Sequence, residues 1–324
     1  MIDRKQIEEP VAVEFKHFNE DFDTSLRSQT ALLESAIEKV MASTGKHIRP
    51  LLLLLTAKSC GTVTENSINS AVLIELLHTA TLIHDDVIDE TKIRRGVPSL
   101  NAIYDNRISV LVGDYILSSA LVRSIMTADL RVISIVSNLG RSLSEGEIKQ
   151  LESADEIIID EENYLQVIKK KTAVLLSACA EIGAITSGAP QEFIEKSRLF
   201  GECLGYAFQI KDNIFHYFND SKNGKPPGND IREGKITLPL LHAIQTATPQ
   251  EANSCLDIIK SRSFSSDNVN YLIAFAKHAG GIDYATRRMN FYRDQAISVL
   301  RAFPDSPARD SLMMLTDYIV ERSK

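Results

Sequence analysis

The chain reads as an all-α protein, one large helical bundle around a central cavity, and three observations lead there. Only 15 glycines and 10 prolines interrupt 324 residues, 44% of which are hydrophobic. Apolar residues recur at helical spacing along most of the chain, and no stretch alternates as a half-buried strand would. Turn residues then punctuate the pattern and leave helical segments of roughly 12 to 25 residues. These breaks fall at Ser43-Thr44-Gly45, Cys60-Gly61, Arg95 to Pro98, Gly188 to Pro190, Asn223 to Asn229, Ala279 to Gly281 and Pro304 to Pro307. None resembles a flexible interdomain linker, so residues 1–324 are expected to form a single domain of ten or more helices.

The elements carry their own signals, in chain order. Gly45-Lys46-His47-Ile48-Arg49-Pro50 opens the Leu-rich helix of Leu51 to Leu55 and sets Lys46 and Arg49 one turn apart. Taken alone they read as two surface cations. The next helix holds Leu76 to Glu90, too apolar over Leu76 to Ile83 for an exposed face. Its end reads His84-Asp85-Asp86-Val87-Ile88-Asp89-Glu90, and Arg94-Arg95-Gly96 follows at once. Asp85 and Asp89 lie about 40° apart around a helix. Like charges at that spacing repel, so the arrangement is a poor stability device. A hard divalent cation between them resolves the conflict, because Mg²⁺ takes one or two carboxylates, keeps several waters and bridges to substrate phosphates. Arginines one turn on would supply planar forks for phosphate oxygens. The plainer alternative is a solvated acidic helix end beside a basic turn. His78 lies two turns before Asp85, about 20° off its stripe, where a core histidine is the ordinary reading.

Further along, Glu145-Gly146-Glu147 with Gln150 reads equally as polar lining or as surface. The acidic stretch Asp155 to Glu162 reads as a solvated loop and helix start. Lys169-Lys170-Lys171-Thr172 precedes the apolar run Ala173 to Ala180. Three lysines usually mark a wet face, although Lys171 and Thr172 can reach a phosphate. Phe208-Gln209-Ile210-Lys211-Asp212-Asn213-Ile214-Phe215-His216-Tyr217 forms another helix, with Asp212 and His216 one turn apart. These two could be an ordinary Asp–His pair, or a weak metal ligand and a bystander. The loop Gly224 to Asp230 and the run Glu233 to Pro239 follow, carrying Lys225 and Lys235. A glycine-rich loop with two lysines is a plausible flap over an anion.

Whole-chain properties narrow the partners. A formal charge of −7 argues against general affinity for nucleic acid or an anionic membrane. Any phosphate site must be a local cationic cluster. Cys60, Cys179, Cys203 and Cys255 are widely spaced, with no CxxC, and read as buried free thiols in a reducing compartment. The N-terminus lacks signal-peptide character. The longest aliphatic run, Leu51 to Leu55, is far too short for a bilayer span. A cytoplasmic protein with no membrane span is expected.

The ordered set of motifs resembles the trans-isoprenyl diphosphate synthases, or polyprenyl synthetase family, from about Lys46 to Pro239. A weaker echo follows at Gly280 to Ala285. The run from Asp85-Asp86-x-x-Asp89 to Arg94-Arg95-Gly96 is similar to the family's first aspartate-rich motif. The resemblance implies an all-α fold, usually a homodimer, and a Mg²⁺-dependent prenyltransferase. It places Asp85, Asp86, Asp89 and Asp212 at metal. It places Lys46, Arg49, His78 and Arg95 around isopentenyl diphosphate, and Arg94, Lys171, Thr172, Gln209 and Lys235 around an allylic diphosphate. Product length in this family often depends on the fourth and fifth positions before the first aspartate, here Thr81 and Ala80. Both are small, which implies a long-chain product. On an ideal helix Thr81 shares a face with Asp85, whereas Ala80 lies about 140° away. The second motif departs from the family pattern of Asp-Asp-x-x-Asp, reading Asp212-Asn213-Ile214-Phe215-His216. Asparagine loses the charge, and histidine is a poor partner for Mg²⁺. A non-catalytic subunit of a prenyl synthase and a terpene cyclase on the same fold are the competing expectations.

Overall fold

The computed structural model describes residues 3–42, 45–218 and 227–321. Helices dominate, as the periodicity predicts. The exception is a two-stranded antiparallel ladder, Ile93–Arg94 against Val97–Pro98. No alternating pattern announces it, because two residues per strand are too few to alternate. It matters because it turns the chain through Arg94 and Arg95.

Two compact units emerge. The first holds residues 1–137, 178–198 and 300–315. Its centre is the helix Glu65–Ile88, opened by a reciprocal cap between Thr64 and Ser67. This helix is apolar nearly all round and is buried along most of its length, as such a sequence requires. The Leu-rich helix Ile48–Cys60 packs on it, with Leu51 to Leu55 fully buried. Phe15, Phe18 and Phe22 cover another side from the helix Ala12–Ser25. The helix Asn106–Met126 makes the most extensive contact with Glu65–Ile88, through a face that includes Val112, Gly113, Ile116 and Ala120. Among the described residues it alone is long and apolar enough to cross a membrane, a possibility that the length of the Leu run did not anticipate. Its outer face exposes Val110, Leu111, Leu121, Val122, Ile125 and Met126.

The second unit holds residues 138–177, 199–299 and 316–324. One apolar cluster gathers Tyr217, Ile231, Leu240, Cys255, Ile259, Val269 and Leu272. Another gathers Tyr164, Ile168, Ala207, Ile210, Ile214, Leu241 and Met289. The acidic stretch after residue 154 ends one helix at Glu156 and opens another at Glu161, where Asp160 accepts from the Asn163 N–H. The four cysteines are free. Cys60 is half-buried rather than buried, and the other three lie in the core.

Candidate active site

Each unit contains a cavity lined by residues singled out from the sequence. In the first unit the cavity, about 650 Å³ with its mouth, is lined by Glu75, His78, Asp86, Arg94 and Arg95, among others. The helix Glu65–Ile88 sets this geometry. The Asp89 N–H donates to the Asp85 carbonyl at 2.8 Å, so helical register persists through Asp89 and both carboxylates share a face. Asp86, one residue round, points elsewhere. It is only 5% exposed. Arg94 Nε donates to both of its oxygens, at 2.8 and 2.9 Å, and Arg94 Nη2 stands 2.7 Å away. The Asp86 carboxylate, expected at metal, is thus engaged by Arg94 and orients its guanidinium. Such a bidentate pair is strong and geometrically demanding.

Arg95 occupies the left-handed turn between the two short strands, at φ 54°. Its guanidinium lies against Gly45 so closely that a Cβ there would come within 2.6 Å of it. A side chain there would have to displace the arginine tip. His78 is buried, and burial together with Arg49 and Arg95 pushes its pKa well below the ordinary value. It is a neutral hydrogen-bonding group, not a cation. Glu75, which the sequence reading missed, lies one turn earlier and is 6% exposed. Burial raises its pKa, while Arg49 and Arg95 pull the other way. A glutamate inside Leu73-Ile74-Glu75-Leu76-Leu77 was the available signal. His47 caps the Leu-rich helix in a left-handed conformation, and its Nδ1 is 3.0 Å from Asn19 Oδ1. Burial depresses its pKa to about 4. Lys46 is exposed and Arg49 half-buried at the start of the same helix. Ala80 is buried and Thr81 half-buried, with the Thr81 hydroxyl donating to the His78 carbonyl at 2.8 Å. Neither is among the residues lining this cavity.

In the second unit Lys171, Thr172, Gln209 and Lys235 line one cavity, about 860 Å³ with its mouth. A single π turn, Lys169–Ala173, brings Lys171 and Thr172 to it. Lys171 Nζ is held by Glu147 at 2.8 Å and by Gln150 at 3.0 Å; Gln150 lines the cavity, and Glu147 braces the lysine from outside the lining. Gly146 makes room, since a Cβ there would stand 2.9 to 3.1 Å from Lys170 and Lys171 atoms. The Thr172 hydroxyl donates to Gln209 Oε1 at 2.6 Å, and Lys235 Nζ pairs with Glu233 at 2.6 Å. Lys225 lies outside the described residues.

The second acidic motif does not behave as an Asp–His pair. Asp212 is half-buried and is not part of the cavity lining. Asn213 and His216 turn to Asp230 instead, a residue the sequence reading passed over. The two motifs therefore differ in fitness for a divalent cation. Asp85 and Asp89 supply two oxygen donors on one face, as such an ion requires. Asp212 has no carboxylate companion in its own motif. No cluster of three His, Cys, Asp or Glu ligands occurs among the described residues, so phosphate oxygens and water would have to complete any coordination shell.

Comparison with known proteins gives the family. Residues 30–276 match the polyprenyl synthetase family. The octaprenyl diphosphate synthase of Escherichia coli K12 is 34% identical over 321 residues, covering 99% of both chains. The all-trans-nonaprenyl-diphosphate synthase (geranyl-diphosphate specific) of Rhodobacter capsulatus is 36% identical over 327 residues, again covering 99% of both. A polyprenyl synthase from Caulobacter crescentus CB15, crystallised with calcium and isoprenyl diphosphate, superposes with a TM-score of 0.93 at 31% identity, over 99% of this chain and 98% of that one. With family motif, fold and whole-length relatives in agreement, the chain belongs to the polyprenyl synthetase family, the trans-isoprenyl diphosphate synthases.

Proposed function

We propose that the chain is a long-chain polyprenyl diphosphate synthase that joins isopentenyl diphosphate to an allylic diphosphate. One observation carries this reading. Lys171, Thr172, Gln209 and Lys235, distant in sequence and each assigned to the allylic diphosphate by family position, line a single cavity. By family position Asp85, Asp86, Asp89 and Asp212 would hold Mg²⁺, Asp85 and Asp89 offering two oxygen donors on one helix face. The ion supplies charge neutralisation for a departing diphosphate. By family position Lys171, Lys235 and Arg94 are assigned to the allylic diphosphate, and fixed positive charge of this kind would stabilise the negative charge that grows as its C–O bond breaks. By family position Lys46, Arg49, His78 and Arg95 are assigned to isopentenyl diphosphate, whose double bond is the nucleophile. Neutral His78 contributes hydrogen bonds there, and the released diphosphate accepts the proton lost at the end. Small residues at Ala80 and Thr81 support a long product, in line with the octaprenyl and nonaprenyl synthases among the relatives.

We further place residues 1–324 in one domain and read the chain as a cytoplasmic homodimer with no membrane span and no affinity for nucleic acid. The exposed apolar face of Asn106–Met126 supports a protein partner, since contiguous patches of this kind mark interfaces. Arg123 on that helix is tied back to Asp21 and Ser25 at 2.7 to 2.9 Å, which suits a helix anchored in protein better than one in lipid. The free thiols fit a reducing compartment.

The test is incubation of pure protein with Mg²⁺, farnesyl diphosphate and labelled isopentenyl diphosphate, with the solution mass of the same preparation measured. Chain extension that EDTA stops, from a dimer, is expected. Cyclised product without uptake of label would point to a terpene cyclase. Inertness would favour a non-catalytic subunit, the reading that the altered second motif supports. A monomer would remove the dimer assignment.

A further inference from the structure

Both positions at which the second motif departs from the family pattern reach the same atom. Asn213 Nδ2 donates to Asp230 Oδ2 at 3.0 Å, and His216 Nδ1 stands 2.7 Å from that oxygen. The Tyr164 hydroxyl donates to Asn213 Oδ1 at 2.9 Å, which orients the amide so that its donor faces Asp230. Asn213 is 6% exposed and Asp230 7%. The backbone carries the connection onward. The Gly228 N–H donates to the His216 carbonyl at 2.7 Å, and the Lys235 N–H donates to the Asp230 carbonyl at 2.8 Å. Lys235 in turn lines the cavity.

Aspartates at 213 and 216 would crowd three carboxylates around one buried oxygen. Buried like charges persist only when paired or bound to metal. Here an amide that donates to the remaining carboxylate and an imidazole at ion-pair distance from it stand in place of two acids. We propose that Asn213, His216 and Asp230 form a metal-independent clasp. It ties the end of the helix Gln191–Phe215 to the turn Asn229–Arg232 and so sets Lys235 on the cavity, with Asp230 as a positioning residue. The altered motif is then a compensated change rather than an eroded one. That this cavity receives the allylic diphosphate rests on the function proposed above; the clasp itself does not.

Melting the full chain in EDTA and in Mg²⁺, without substrate, tests the clasp. The parent should melt within about 2 °C of the same temperature in both. The Asn213→Asp/His216→Asp variant should lose about 4 °C or more in EDTA and recover at least half of the loss in Mg²⁺. Adding Asp230→Asn to that variant should also recover at least half, in EDTA alone. The clasp is overturned if the double variant melts with the parent in EDTA, or if Mg²⁺ shifts both proteins equally. It is equally overturned if the double and triple variants both fail to fold under every condition.

Calorimetric binding tests the positioning role. Asp230→Asn alone should weaken farnesyl diphosphate binding about tenfold, some 1.4 kcal/mol, and leave isopentenyl diphosphate binding unchanged. Equal loss for both ligands, or none for either, overturns that role. A parent that binds neither ligand removes the proposed function, while the melting comparison still decides the clasp.

Discussion

Asp85, Asp86 and Asp89 stand within five residues yet face different physical problems. Asp85 and Asp89 share a helix face at like-charge spacing, and Asp86 is buried with its carboxylate on Arg94. Substitution should separate them cleanly. Asp89→Ala is expected to lower turnover at least about a hundredfold, several kcal/mol of lost charge stabilisation, with the melting temperature in EDTA unchanged or slightly raised. Asp86→Ala leaves the Arg94 guanidinium without its bidentate partner and should cost about 1.5–3 kcal/mol of stability. Melting and turnover measured side by side decide the point. An Asp89→Ala enzyme keeping more than a tenth of parent activity would sink the metal assignment, and an Asp86→Ala protein of parent stability would demote the Asp86–Arg94 pair.

The helix Glu65–Ile88 shows what one element can position. Its apolar circumference buries it, and that burial holds His78, Glu75 and the aspartates in fixed angular relation. The same helix carries the two candidate chain-length residues, and burial separates them. Ala80 is 1% exposed, so a phenylalanine there must overpack the core, at about 1–3 kcal/mol. Thr81 is half-buried and should accept the ring with little loss. Thr81→Phe is therefore the cleaner probe, and product chromatography should show shorter chains. An unchanged length distribution in both variants would remove the two positions from the path of the growing chain. The π turn Lys169–Ala173 illustrates a different use of an element, a local change of helical register that swings Lys171 and Thr172 onto the cavity.

Stability of the whole molecule should register the buried histidines. His47 and His78 both have folded-state pKa values below the ordinary one, His47 about 4, so the folded chain keeps them neutral where the unfolded chain protonates them. The stability they contribute is present above about pH 6.5 and is lost as pH falls, at up to about 1.4 kcal/mol per pH unit for each. Glu75 works in the opposite sense. Its raised pKa makes its contribution largest at low pH and removes it as pH rises, so it offsets part of the loss. Urea midpoints should accordingly fall between pH 7 and pH 5. His47→Gln should flatten that slope, since it removes one of the protons taken up on unfolding. Parallel pH slopes for parent and variant would show that His47 is not among the groups responsible.

Local periodicity was enough to establish the helical class and the shared face of Asp85 and Asp89, because both depend on the backbone repeat, whereas the phosphate-type residues were assigned through the resemblance to the family. Polar partners were another matter. Arg94 reaches Asp86 from a hairpin too short to leave a pattern, and Lys171 finds Glu147 and Gln150 more than twenty residues away. Gln150 and Glu147 could be lining or surface until packing chose. Asp230 looked like an ordinary loop residue, yet Asn213 and His216 both converge on it. The sequence by itself determined which side chains share a helix face. Only the tertiary structure decided which distant polar groups meet, Arg94 with Asp86, Lys171 with Glu147 and Gln150, and Asn213 and His216 with Asp230. The physical reason is that the first follows from a repeat of 3.6 residues, while the second depends on short-range polar contacts between segments whose separation along the chain carries no information about their distance in space.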